Sequence, residues 1–320
     1  MSRLLFDAAG AVVLDPAVAN RNATRSSLFQ LGFQNVELMP TAAALVKFLA
    51  DNSPDLLIAE MTGDEAGILE LVQSVREGKT GNNPFLVVVL TTWQRDGAIV
   101  TKAINSGADD LVARPISTRM LGERIKLQIE RRKGFVVTHG YIGPDRRRDS
   151  NRPGAQCIEV PNTLRIRTFE GLPPPEANMR IRTELEKGKD TLAVAKLKSD
   201  VVQLCVQWRL LERLTPGTRE FFVRSWQVGR AAAKVQERSV NNEKENASEL
   251  CAAVVQAGET LNGLEAMTKG TPDFESPLKK LAYAALRLGQ IYAPGIADRE
   301  DLAASLTLDQ GLEGAEGKAA

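Results

Sequence analysis

The sequence predicts two fold classes in one chain: a doubly wound α/β sheet over roughly the first 130 residues, then an all-α bundle. Three observations carry this reading. Five short apolar runs alternate with five helix-like stretches up to Arg132. In the second half, apolar residues recur close to a 3.6-residue period. Between the halves lies a basic stretch punctuated by Gly and Pro.

The elements follow in order. Ala11-Val12-Val13-Leu14-Asp15 is long enough for a buried strand. Residues 18–31 read as helix and stop at Gly32. Val36-Glu37-Leu38 is a weak second strand, and Thr41 can cap a helix over 42–51. Leu56-Leu57-Ile58-Ala59 is a third strand, followed by a helix over 66–77 with Leu69, Val72 and Val75 three apart. Phe85 to Leu90 is β-branched and uncharged, the fourth strand. Residues 95–105 are helix, stopped by Gly107. Leu111-Val112-Ala113 is the fifth strand, and residues 118–132 the fifth helix, with Leu121, Ile125, Leu127 and Ile129 apolar. Strand–helix alternation of this kind implies a parallel sheet covered on both faces, with right-handed crossovers. The functional crevice of such a sheet lies at the C-terminal strand ends. Those ends carry Asp15, Pro16, Glu60, Met61, Thr91, Thr92 and Arg114.

The second half is read as helices over 190–214, from a Thr215 cap and Pro216 to about Ser239, over 246–267, and over 275–292. Four amphipathic helices with short connections predict an antiparallel bundle. Trp208 and Trp226 are the surface anchors to inspect if an apolar stripe is exposed. The domain reading is 1–133 for the sheet, 134–175 for a linker, 176–308 for the bundle and 309–320 for a flexible tail.

Composition sets exclusions. The 320 residues hold 41 basic and 40 acidic side chains, a formal net charge of +1. The balance is uneven: residues 1–130 hold 12 basic and 15 acidic, net −3; residues 131–168 hold 9 and 3, net +6; residues 169–320 hold 20 and 22, net −2. The lone histidine, His139, rules out a two-histidine metal site, and no metal or other cofactor is expected. Cys157, Cys205 and Cys251 lie too far apart for a zinc spacing and are odd in number, so they read as idle thiols in a reducing compartment. There is no leader-like apolar segment and no apolar run near 18 residues, so membrane insertion is not expected and a cytoplasmic location is.

The motifs Pro54-Asp55-Leu56-Leu57-Ile58-Ala59-Glu60, Leu90-Thr91-Thr92 and Gly107-Ala108-Asp109-Asp110-Leu111-Val112-Ala113-Arg114-Pro115 give residues 10–132 a resemblance. This segment resembles the receiver domain of bacterial response regulators, the flavodoxin-like chemotaxis-regulator type. The resemblance implies two-component signalling. It also implies a pocket with two acids for magnesium, a phosphoacceptor aspartate, a hydroxyl on the phosphoryl group, a lysine and an aromatic readout. This chain departs from that set. Asp15 is followed by Pro16, the phosphoacceptor falls on Glu60, the lysine on Arg114 and the readout aromatic on Leu111; the hydroxyl is kept as Thr91. Magnesium needs near-octahedral oxygen ligation anchored by carboxylates. Pro16 brings none, and Glu60 places its oxygen one methylene too far for in-line attack, where positioning must hold within about 1 Å. Arg114, a fixed cationic fork, suits an ion pair with Glu60.

These departures define a degenerate phosphorylation pocket of Asp15, Pro16, Glu60, Thr91 and Arg114, with Leu111 at the readout position. A sharper form of the reading makes Glu60 a permanent phosphomimic. In the connector, Arg146, Arg147, Arg148 and Arg152 are contact candidates, on a solvated linker or against an acidic partner. The spacing Arg148-x-x-x-Arg152 also resembles the arginine pair of PilZ-type cyclic dinucleotide receptors, without the Asp-x-Ser-x-x-Gly that follows in them. The expected function is a non-enzymatic signalling adaptor that binds other signalling proteins or a second copy. One alternative is a phosphatase of another receiver, through Asp200-x-x-Gln203 or Glu243-x-x-Asn246. The other is an RNA-binding regulator, disfavoured by the acidic second half.

Overall fold

The computed structural model describes residues 4–94, 96–147, 156–169, 171–215, 218–239, 247–263 and 272–294. The chain divides into two compact units, the first reaching Leu192 and the second running from Ala193.

The first unit is built on β1 (Gly10–Leu14), β2 (Asn35–Met39), β3 (Leu56–Glu60), β4 (Val87–Thr92) and β5 (Asp110–Ala113). All pairings are parallel, in the order β2-β1-β3-β4-β5. Interleaved are α1 (Val18–Leu31), α2 (Ala42–Asp51), α3 (Glu65–Arg76), α4 (Gly97–Asn105) and α5 (Thr118–Arg131). The central strands β3 and β4 are buried along their whole length, as continuous apolar runs with both faces covered should be. One apolar layer joins Val12, Leu57 and Val88 to α2, α3 and α4, and another joins Val13, Ile58 and Val89 to α1 and α5. Thr41 caps α2 as expected, and Asp96 and Ser117 cap α4 and α5; each accepts from a backbone N–H in the first turn. Asp64 caps α3 in the same way.

Residues 134–175 are not a solvated linker among their described positions. They form β6 (Phe135–Val137), β7 (Ile142–Pro144) and β8 (Gln156–Ile158), an antiparallel sheet in the order β7-β6-β8. Leu164-Arg165-Ile166-Arg167 lies in α6 (Thr163–Thr168), capped by Asn162. This annex docks on the N-terminal edge of the five-stranded sheet. Leu164 enters the core beside Leu121 and Ile125, and Asn162 donates to the Gln128 carbonyl at 2.8 Å. Gly107, at φ +87°, is pressed so close to β7 that a Cβ would lie 2.2 Å from the Ile142 carbonyl oxygen.

The long helix α7 (Pro174–Glu212) begins within Pro173-Pro174-Pro175, ahead of the linker end expected at 175 and well ahead of the helix expected from 190. A first-turn proline lacks only an N–H that has no helical partner anyway. Ala177 and Ile181 pack with Ile166, and Gly188 lets the helix approach Pro161 and Phe85, where a Cβ would meet carbons at 2.7 and 2.8 Å. The expected boundaries at 133 and 175 therefore fall inside one packed unit.

The second unit holds the rest of α7 with α8 (Arg219–Ser239), α9 (Ala247–Gly263) and α10 (Pro272–Tyr292). Thr218, not Thr215, caps α8, accepting from Phe221 N–H at 3.2 Å. The core joins Val201, Leu204, Trp208, Phe221, Val228, Val254, Leu261, Leu281 and Leu288. Asp200 of α7 pairs with Arg238 of α8. The residues expected as a tail, 309–320, lie outside the described positions. No described helix is long and apolar enough to cross a membrane.

Candidate functional site

Parallel register brings the acid and the hydroxyl together. Glu60, last residue of β3, stands opposite Thr91 of β4. Asp15 follows β1 and Arg114 follows β5, its N–H bonded to the Thr92 carbonyl at 2.8 Å. Arg114 is joined to Pro115 by a cis peptide bond. All four side chains are buried: Asp15 and Thr91 fully, Glu60 and Arg114 nearly so.

Arg114 bridges both acids. Its Nε donates to Glu60 Oε2 at 2.6 Å and its Nη2 to Asp15 Oδ2 at 2.9 Å. Thr91 Oγ1 donates to the same Glu60 oxygen at 2.7 Å. The remaining oxygens are also occupied: Thr62 N–H donates to Glu60 Oε1 at 3.0 Å, and Ala17 N–H to Asp15 Oδ1 at 2.8 Å. Arg21 donates to the Asp15 carbonyl, and Thr24 Oγ1 lies 3.5 Å from Arg114 Nη2. Burial pushes the Asp15 carboxyl above its ordinary range and outweighs the Ala17 N–H and the Arg114 charge; Glu60 adds to the rise.

Pro16 is exposed and contributes no carboxylate. Met61 and Thr92 are buried beside the pocket. Leu111 is half-buried against the apolar layer under α4. The magnesium implied by the resemblance does not fit these residues. The acid oxygens it would need already accept from a guanidinium, and a second anchoring carboxylate is missing at Pro16. The described residues contain no group of three His, Cys, Asp or Glu side chains able to hold a metal.

The connector arginines separate. Arg146 donates to the carbonyls of Ala108 and Asp109 at 2.6 and 3.1 Å, and Arg147 pairs with Asp145 at 2.8 Å. Arg146 thus fastens the annex to the start of β5. Arg148 and Arg152 lie outside the described residues, as do Glu243 and Asn246. His139 is exposed in the β6–β7 turn. Cys205 and Cys251 are buried, their thiols pushed up to about 11 and about 12 by burial. Cys157 is exposed on β8.

Sequence reasoning missed a second charged centre at the opposite strand ends. Asp109 accepts from Arg76 at 2.7 Å, from Arg132 at 2.8 and 3.1 Å, and from Val88 N–H at 2.8 Å. Arg76 also donates to the carbonyls of Gly107, Pro84 and Leu86. Both guanidinium groups lie over the ring of Phe135 of β6, 4.9 and 5.2 Å from its centre. Burial alone would raise the Asp109 carboxyl, but Arg132 and Arg76 overcome it and hold the group below the usual carboxylate range. Burial lowers Arg76 to about 10. One signal was available: Arg76 sits four residues after Val72 on the buried stripe of α3, where a cation needs a partner. Nearby, Asp55 accepts from Gly10 N–H at 2.9 Å and pairs with Arg167 of α6 at 3.0 Å.

No family matches this sequence, and no curated protein matches it. Solved structures do. A CheY-like receiver domain from Methanospirillum hungatei JF-1 is 21% identical over 38% of this chain and 92% of its own, with a TM-score of 0.34. A response regulator from Thermotoga maritima is 24% identical over 37% of this chain and 95% of its own, TM-score 0.33. The chemotaxis protein CheY4 of Vibrio cholerae is 16% identical over 37% and 96%, TM-score 0.34. By its own strand order, β2-β1-β3-β4-β5 with interleaved helices, the segment 10–132 has the doubly wound fold expected from the sequence, and a helical region follows.

Proposed function

We propose that this chain is a response-regulator-like signalling protein of the cytoplasm. In this reading its receiver-like module takes no phosphoryl group and acts by binding other signalling proteins. The observation that carries this is the single guanidinium of Arg114 bonded to both Asp15 and Glu60. A nucleophilic carboxylate must be open to attack in line, and a divalent cation must neutralise the transferred group. Here the carboxylate is committed on both oxygens and the cationic position is filled by protein. A fixed Glu60–Thr91 hydrogen bond further supports one settled conformation at these strand ends, the state that the phosphomimic reading requires.

Incubation of the full chain with magnesium and acetyl phosphate, read by intact mass, tests this. The expected result is an unchanged mass. A clean gain of one phosphoryl group at Glu60, Asp15 or Asp64 overturns it. Of the two motifs for the phosphatase alternative, Asp200-x-x-Gln203 has its acid buried and paired with Arg238, and Glu243-x-x-Asn246 lies outside the described residues. No observation favours the RNA-binding alternative.

A further inference from the structure

The outer side of α8 carries a stripe that the core does not use. Arg219, Val223, Trp226, Arg230, Ala233 and Glu237 are all exposed, in steps of four and three residues. That is the seam spacing of a helix that pairs with another helix. Val223 is 48% and Trp226 51% exposed, while Phe221, Val228, Ala232 and Val235 on the opposite side of the helix fill the core. Neither Arg219 nor Glu237 enters an ion pair among the described residues.

The stripe is complementary to itself when reversed. In an antiparallel pair centred at Val228, Arg219 faces the second copy's Glu237, Val223 faces Ala233 and Trp226 faces Arg230. Each contact recurs on the other side of the two-fold axis, as a symmetric interface requires. Each is also favourable: opposite charges meet at the two ends, apolar side chains meet inside them, and a cation meets an indole at the centre. Arg230 already lies 4.7 Å from the centre of its own Trp226 ring, so in the pair each guanidinium stands between two indoles. A parallel pair at the same level instead sets Arg219 beside Arg219, Arg230 beside Arg230 and Glu237 beside Glu237. The charge pattern therefore selects the antiparallel arrangement.

We propose that the chain forms a homodimer in which two copies of α8 pack antiparallel through this stripe, anchored by Trp226. The proposal is independent of the reading of the Arg114 pocket. Sedimentation of the full chain across a concentration series tests it. The expected outcome is a reversible dimer whose dissociation constant rises at least about thirtyfold in Trp226→Ala, a hot-spot loss, with helical circular dichroism and melting unchanged because the side chain is half exposed. Arg219→Glu and Glu237→Arg each weaken the dimer, and the double variant Arg219→Glu/Glu237→Arg restores it. A chain that stays monomeric throughout overturns the proposal. So does a dimer that Trp226→Ala leaves intact, or a double variant no tighter than the singles.

Discussion

Arg114 bonds two buried acids at once, and its removal is correspondingly costly. Without it, two nearly water-free carboxylates, Asp15 and Glu60, face one another with no cation between them. Breaking a buried ion pair from one side costs about 3–5 kcal/mol. We expect Arg114→Met to lower the stability of the first unit by that amount in urea titration. Arg114→Lys recovers only part of it, because a single ammonium cannot present two fixed donors to two acids. At the other strand ends, Asp109 should govern acid sensitivity. Its carboxyl is lower in the folded chain than its ordinary value of 3.8, so its contribution is complete above that value and is lost as pH falls through the lower folded value. Asp109→Asn should remove that part of the acid unfolding seen by circular dichroism. The Glu60–Arg114 pair was legible in the sequence, since strand-end positions and charge types predict it. That one guanidinium also takes Asp15, with Arg21 and Thr24 close by, depends on side-chain rotations that no spacing encodes. Asp109 was legible only as part of a motif; its partners come from elements 23 and 33 residues away.

Among the elements, period decides what could be read. The five strands and five helices of the sheet repeat their patterns often enough to stand out, although β4 sits two residues later than expected, at Val87–Thr92. That shift matters, because it carries Thr91 into the ladder opposite Glu60. Strands β6, β7 and β8 have three residues each, too few for alternation to show against a Gly- and Pro-rich background. The start of α7 was hidden for another reason: its prolines occupy the turn where helices tolerate them, and its first exposed residues carry little apolar stripe. Gly107 shows how tightly the annex is fitted. A residue other than glycine there needs an unfavourable positive φ and also collides with β7. Gly107→Ala should therefore cost several kcal/mol, the backbone conformation alone being about 1–3 kcal/mol. Differential scanning calorimetry would register it as a lowered transition of the first unit. Gly140→Ala in the β6–β7 turn, where a Cβ meets nothing within 4 Å, is the control expected to shift it little.

At the level of the whole molecule, the folding unit is longer than the domain whose motifs it carries. A chain ending at residue 133 would leave Phe85 without Phe135, Asp55 without Arg167, and the Leu164 site in the core empty. Expressed alone, residues 1–133 should be insoluble or lack cooperative melting, whereas residues 1–192 should melt as one unit; the heat-capacity trace separates the two outcomes. The sequence hid this because basic charge and Gly–Pro punctuation are shared by true linkers and by short, tightly docked segments. Arg114 also ties three positions together. Losing it alone leaves Asp15 and Glu60 side by side in the interior without their shared donor. An exchange of Arg114 is therefore tolerated only together with changes at both acids, so residues from three separate strand ends behave in sequence as one unit.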